Sequence, residues 1–230
     1  MPSVATLQKL NAASGLFFGV FLVIHLICHY TLNLSFEDGQ RRLQTMRAIY
    51  QHPVFEILLA TSLFVHFFAN INLYLDRNKI NSSTKKRPIE GSLELQGHRI
   101  AGYILSVMIV GHVIATRIGP LIVLDDPRSY DYSFIALAIS LIPFKIFNLF
   151  LILFGCAGGW HLIYGTRAAI TTLSGGSVHG KKFPIPLKML ALTNHLLIIG
   201  AVLALSTAAT TLVMNDEHVR LLQKYGLYYR

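Results

Sequence analysis

The chain has 230 residues, of which 53% are hydrophobic and 13% charged, and its mean hydropathy is +0.52. A charged share about half that of a soluble domain excludes disorder, and it excludes a nucleic-acid-binding domain despite the formal net charge of +9. The two cysteines, Cys28 and Cys156, lie inside apolar stretches, so they do not make a secreted disulfide scaffold. Strong charges are missing between Lys9 and Glu37, Glu56 and Asp76, Arg99 and Arg117, Lys145 and Arg167, and Lys188 and Asp216. Each interval is long enough, or nearly so, for a helix rising ~1.5 Å per residue to cross a hydrocarbon core of ~30 Å. The expected fold is all-α, a single integral membrane domain of five transmembrane helices.

In chain order, the first span is expected over about 11–34. The segment MPSVATLQKLNAASG has no charged run before a short apolar core and no cleavage site, so it reads as a retained helix rather than a signal peptide. The second span, about 54–75, opens after Pro53, a suitable first-turn residue. The third covers about 99–117. The apolar piece at 132–143, ended by Pro143, is too short to cross and is expected to lie in the interface. The fourth span covers about 145–170, and the fifth, after the FPIP of 183–186, about 189–214.

With the amino terminus on the cytoplasmic or matrix side, 11 Lys and Arg fall inside against 9 outside, and 3 acids against 8. The inner face is then the basic one, in the sense of the positive-inside rule. Its largest basic concentration is the 76–99 loop with Lys85, Lys86 and Arg87, suited to anionic lipid or to a soluble partner.

Ten histidines are the chemistry-bearing feature, because an ionisable group inside a span is expensive unless it has a task. One mid-span histidine is accounted for by a helix–helix hydrogen bond; four spans each carrying one point to neutral imidazoles as axial ligands of b-type haem, two per iron. Both ligands of one haem must share a level. Counted from the basic residue at the inner end of each span, His25 lies roughly 24 Å up, His112 roughly 20 Å, His66 roughly 16 Å and His161 roughly 9 Å. The expected pairs are His25 with His112 outside and His66 with His161 inside. A pairing of His52 with His112 fails, since His52 would lie about 37 Å up. His29, one turn beyond His25, could replace it or bond a propionate, and His195, level with His161, could compete for the inner iron. His98, His179 and His218 fall at loops or span ends and are expected to be solvated. Arg99 and Arg167 are candidate propionate partners as well as interface anchors.

The stretches KLNAASGLFFGVFLVIH (9–25), HPVFEILLATSLFVH (52–66), HRIAGYILSVMIVGHVIATRI (98–118) and WHLIYG (160–165) resemble the diheme, single-subunit cytochrome b anchors of succinate:quinone oxidoreductases, that is, of succinate dehydrogenase and fumarate reductase. With the fifth span they cover nearly the whole membrane portion; each motif alone is weak, and the ordered set is the specific part. The resemblance implies that His25, His66, His112 and His161 ligate two haems b. It also implies flavoprotein and iron–sulfur partner subunits, a quinone (menaquinone) as the membrane substrate, and the bacterial cytoplasmic membrane, with the mitochondrial inner membrane as the alternative. The chain itself carries no dinucleotide fingerprint and no cysteine set for iron–sulfur clusters. Quinone chemistry needs a proton carrier, for which Glu37 is the first candidate and Glu56 the second, near the outer haem. The rival readings are a haem b subunit serving another dehydrogenase and a haem-free transporter with a histidine proton relay.

Overall fold

A computed structural model of the chain describes residues 2–84, 93–124, 127, 130–141, 146–176, 184–212, 216–224 and 226. Pro143, His179 and the Lys85, Lys86 and Arg87 cluster lie outside the described residues. No strand occurs among the described residues. The helices are α1 (Val4–Tyr30), α2 (Phe36–Tyr50), α3 (Pro53–Thr84), α4 (Leu93–Val113), α5 (Gly119–Val123), α6 (Tyr132–Ser140), α7 (Phe147–Leu173), α8 (Ile185–Thr211) and α9 (Asp216–Lys224). A π-helical turn, Ile114–Ile118, joins α4 to α5, so Leu93–Val123 is one crossing segment. Five segments are long and apolar enough to span a membrane: Val4–Asn33, Pro53–Asp76, Leu93–Val123, Phe147–Leu173 and Ile185–Thr211. Large apolar side chains such as Val20, Phe64, Val107, Leu149 and Leu203 are exposed on their outer faces. Such coverage suits lipid as the surrounding solvent and would aggregate in water. The chain is an integral membrane protein.

Small residues decide which spans touch. α1 packs against α3 and α7, α7 against α4, and α8 stands outside this set against α7. Gly19 accommodates the Leu162 methyl, Gly155 the Ile198 side chain, Gly159 the Asn194 amide and Gly200 the Asn33 side chain, the close approach that small residues permit between membrane helices. Asn194, 4% exposed, accepts a hydrogen bond from the Tyr30 hydroxyl. A methyl at Gly159 would fall on the Asn194 amide, whereas one at Gly158 would meet nothing within 4 Å. Gly159→Ala is therefore expected to destabilise the detergent-solubilised protein by about 1–3 kcal/mol through overpacking. Equal transitions for Gly159→Ala and the wild type would contradict this packing.

At one end of the bundle the chain builds a cap. Ser35 starts α2 by accepting the Asp38 amide at 3.0 Å and donating its hydroxyl to the Asp38 carboxylate at 2.9 Å. With Arg41, the Ser35 hydroxyl holds that carboxyl below the usual range. Asp131 caps α6 through the Phe134 amide at 3.1 Å, and the Gln40 carboxamide ties α2 to α6 by accepting from the Tyr132 amide at 3.0 Å and donating to Asp131. One face of α6 (Tyr132, Ala136, Ile139) packs with Leu32, Leu43, Ala201 and Leu205; the other (Phe134, Leu137) packs with Leu124 and with Leu221 and Leu222 of α9. The segment expected at the interface is thus enclosed on both faces, because α2 and α9 supply the apolar stripes that cover it.

Candidate functional site

α3 and α4 make no more than marginal contact with each other, and the space between α1, α3, α4 and α7 is a cavity of about 2150 Å³. It extends from Gln8 and Gly176 to Tyr130 and Phe147 beneath the cap. Ligand pockets run from about 300 to about 1,000 Å³, so the volume suits two large ligands rather than one.

Four histidines line it in two facing pairs. His25 on α1 faces His112 on α4 with ring centroids 5.9 Å apart, and His66 on α3 faces His161 on α7 at 6.3 Å. The His66 ring lies level with Gly15, where a Cβ would come within 3.0 Å of it; from Gly15 to His25 is a further ten residues, roughly 15 Å of helix. Two imidazoles bound to one metal through nitrogens about 2.0–2.1 Å away bring their ring centroids to roughly 6 Å. Both pairs have that separation.

The pair remote from the cap is also oriented. His66 Nδ1–H donates to the Asn11 carbonyl at 3.2 Å and His161 Nδ1–H to the His98 carbonyl at 3.3 Å. This anchoring presents Nε2 as the free lone pair of a metal ligand. Gly15 and Gly102 leave room for these rings, since side chains there would press on His66 and His161. The pair beneath the cap is walled by Phe21, Tyr50 and Phe154. His25 Nδ1 is buried without a partner. His29 lies beside it, with the two Nε2 atoms 3.1 Å apart, and its Nδ1 is bonded to the Tyr132 hydroxyl at 2.9 Å. His29 is thus turned to Tyr132, while the ring opposite His112 is His25.

The remaining candidates separate cleanly. His195 is not on the cavity wall, and its Nδ1 bonds the Ala191 carbonyl of its own helix. His52 is exposed. His98, expected to be solvated, lines the cavity instead: α4 begins at Leu93, and the His98 ring stacks on His161 at 4.2 Å with 9° between planes. Arg99 lines the cavity at that end, and Arg167, half-buried in α7, does not. Glu37 is exposed on α2 and lies off the cavity. Glu56 lines it beneath the cap, paired with Arg117 from the π-turn through Nη2–Oε2 at 2.8 Å and Nε–Oε1 at 2.5 Å. Of the two carboxylates named from sequence, Glu56 lines the cavity and Glu37 does not, and the π-turn that brings Arg117 onto Glu56 is of a kind frequent at functional positions.

Arg47 is the site residue that sequence reasoning missed. It is 9% exposed, it lines the cavity from α2, and its Nη1 has no hydrogen-bond partner. A buried cation without a compensating charge costs on the order of 3–5 kcal/mol. A signal for it exists in the sequence, because Gly39, Leu43, Arg47 and Tyr50 recur at helical spacing on one face of 36–50.

No group of three or more His, Cys, Asp or Glu side chains suited to a metal ion occurs among the described residues. The two imidazoles per level, their separation, the Nδ1 anchors of His66 and His161 and the volume fit haem b. No protein-family model, curated protein or solved structure matches the chain.

Proposed function

We propose that the chain is the haem b membrane-anchor subunit of a succinate:quinone oxidoreductase, a succinate dehydrogenase or fumarate reductase, passing electrons between an iron–sulfur subunit and a membrane quinone. The observation that supports this most directly is the pair of facing histidine couples, 5.9 and 6.3 Å between centroids, at two levels of one cavity. His25 with His112 and His66 with His161 hold two haems b, and Arg99 faces the second site from the same cavity wall. Bound haem supplies a one-electron carrier at each level, suited to electrons that must cross most of the bilayer.

The chain's own residues do the rest. The Asn11 and His98 carbonyls fix the tautomers of His66 and His161. Phe21, Tyr50 and Phe154 keep water from the His25 pair. Glu56, held by Arg117 at the cavity edge, relays protons to the quinone oxygens, two for each two-electron reduction to quinol. Dicarboxylate chemistry belongs to a flavoprotein partner, and the basic 76–99 segment, which includes the end of α3, the start of α4 and Lys85, Lys86 and Arg87, receives the iron–sulfur subunit or anionic lipid on the cytoplasmic side. The membrane is the bacterial cytoplasmic membrane and the quinone is menaquinone.

A reduced-minus-oxidised visible spectrum of the purified full chain tests the reading. Two b haems per chain are expected. A protein without b-type bands would leave the histidines to a proton relay, and co-purification with a different dehydrogenase would keep the haems and replace the partner.

A further inference from the structure

We infer that Arg47 is the counter-charge for a carboxylate of the ligand seated between His25 and His112, a haem propionate. The inference rests on the two-haem reading and adds a binding residue from α2, an amphipathic helix outside the five spans. Arg47 is 9% exposed and turned into the cavity, and its Nη1 lacks a partner. The groups around it are His25, His29, Tyr50, Tyr130 and Tyr132, on all of which its charge acts.

None of these neighbours is an anion. Burial pushes the Tyr50 and Tyr130 phenols up to about 12 and raises Tyr132 as well. The cavity's carboxylate at this end, Glu56, already has the Arg117 guanidinium in a two-pronged pair. No carboxylate among the described residues forms an ion pair with Arg47. A guanidinium in such a place lacks the planar two-oxygen acceptor it is shaped to bind. The helix itself is fixed by the Ser35 cap and by the Gln40–Tyr132 bond, so the cation is held in position before any ligand arrives.

The test is a redox titration of the haems in the full chain with its partner subunits, comparing wild type with Arg47→Gln and Arg47→Met. Removing a positive charge next to one haem favours its oxidised form. One of the two midpoint potentials is expected to fall by about 59 mV or more, a tenfold change in the oxidised-to-reduced ratio for a one-electron couple. The other potential should stay in place. Arg47→Met keeps the length of the side chain without a buried charge, so its assembly does not depend on the cation. Two haems with both potentials unmoved in an assembled variant would overturn the inference and leave the functional reading standing; a wild-type chain without haem would overturn the functional reading itself. If neither variant assembles, the wild type is reconstituted with haem and with its dimethyl ester, and the His25–His112 site should retain the ester at least tenfold more weakly. Equal retention would overturn the inference.

Discussion

His112→Ala and His161→Ala should each yield a protein with one haem where the wild type has two, and they should lose different haems. The two ring pairs use four different helices, α1 with α4 and α3 with α7. Removing one imidazole leaves its iron with a single protein ligand, while the other pair, roughly 15 Å of helix away, keeps both of its own. His25→Ala should reproduce the spectrum of His112→Ala, and His66→Ala that of His161→Ala. His195→Ala and His98→Ala should keep both haems, since the first side chain is off the cavity and the second stacks flat on His161. The haem-to-protein ratio and the split of the α-band decide the matter. Loss of both haems from a well-folded single variant, or an identical residual spectrum for His112→Ala and His161→Ala, would break the pairing.

Glu56→Gln should lower quinone turnover by about 10²- to 10⁴-fold, the usual contribution of a positioned proton donor or acceptor. Both haems and the oxidation of succinate with artificial dyes should survive, because the change keeps the shape of the side chain. Glu37→Gln should stay close to wild type, as Glu37 is exposed on α2 and does not reach the cavity. The comparison separates a site role from a general effect of acidic charge at this end of the bundle. Wild-type turnover in Glu56→Gln would remove that residue from the mechanism, and a large loss in Glu37→Gln would restore the other.

The five crossings are legible in the sequence because a charge-free interval of 17 to 27 largely apolar residues has few uses outside a bilayer. The histidine pairs are legible because helix rise converts residue number into height. What escapes is whatever depends on facing rather than on height. Glu37 and Glu56 both flank spans at the same end, yet only the structure shows that α2 turns the first to solvent while the π-turn brings Arg117 onto the second. His98 reads as a loop residue when the third span is taken from 99; the helix starts at Leu93, where polar residues Glu94 and Gln96 conceal it. The stretch 36–50 is too polar to register as a crossing segment, so α2 and its inward Arg47 are missed. Apolar content alone likewise does not show that α6 is covered by α2, α8 and α9.

The seams between the helices are not equivalent. Those of α1 with α3 and α7, and of α7 with α4 and α8, are backbone approaches that exist whatever occupies the middle of the bundle. Between α3 and α4 the described contact is the Glu56–Arg117 clasp at one end, with only marginal backbone approach elsewhere. On the two-haem proposal, their mutual order would be borrowed from the haems they enclose. In the ligand-free chain, amide exchange should rise along the facing sides of α3 and α4, while the cap over α6 and the Gly159–Asn194 seam keep their protection. Rigidity in this protein is thus divided between a part built by the polypeptide and a part supplied on loading.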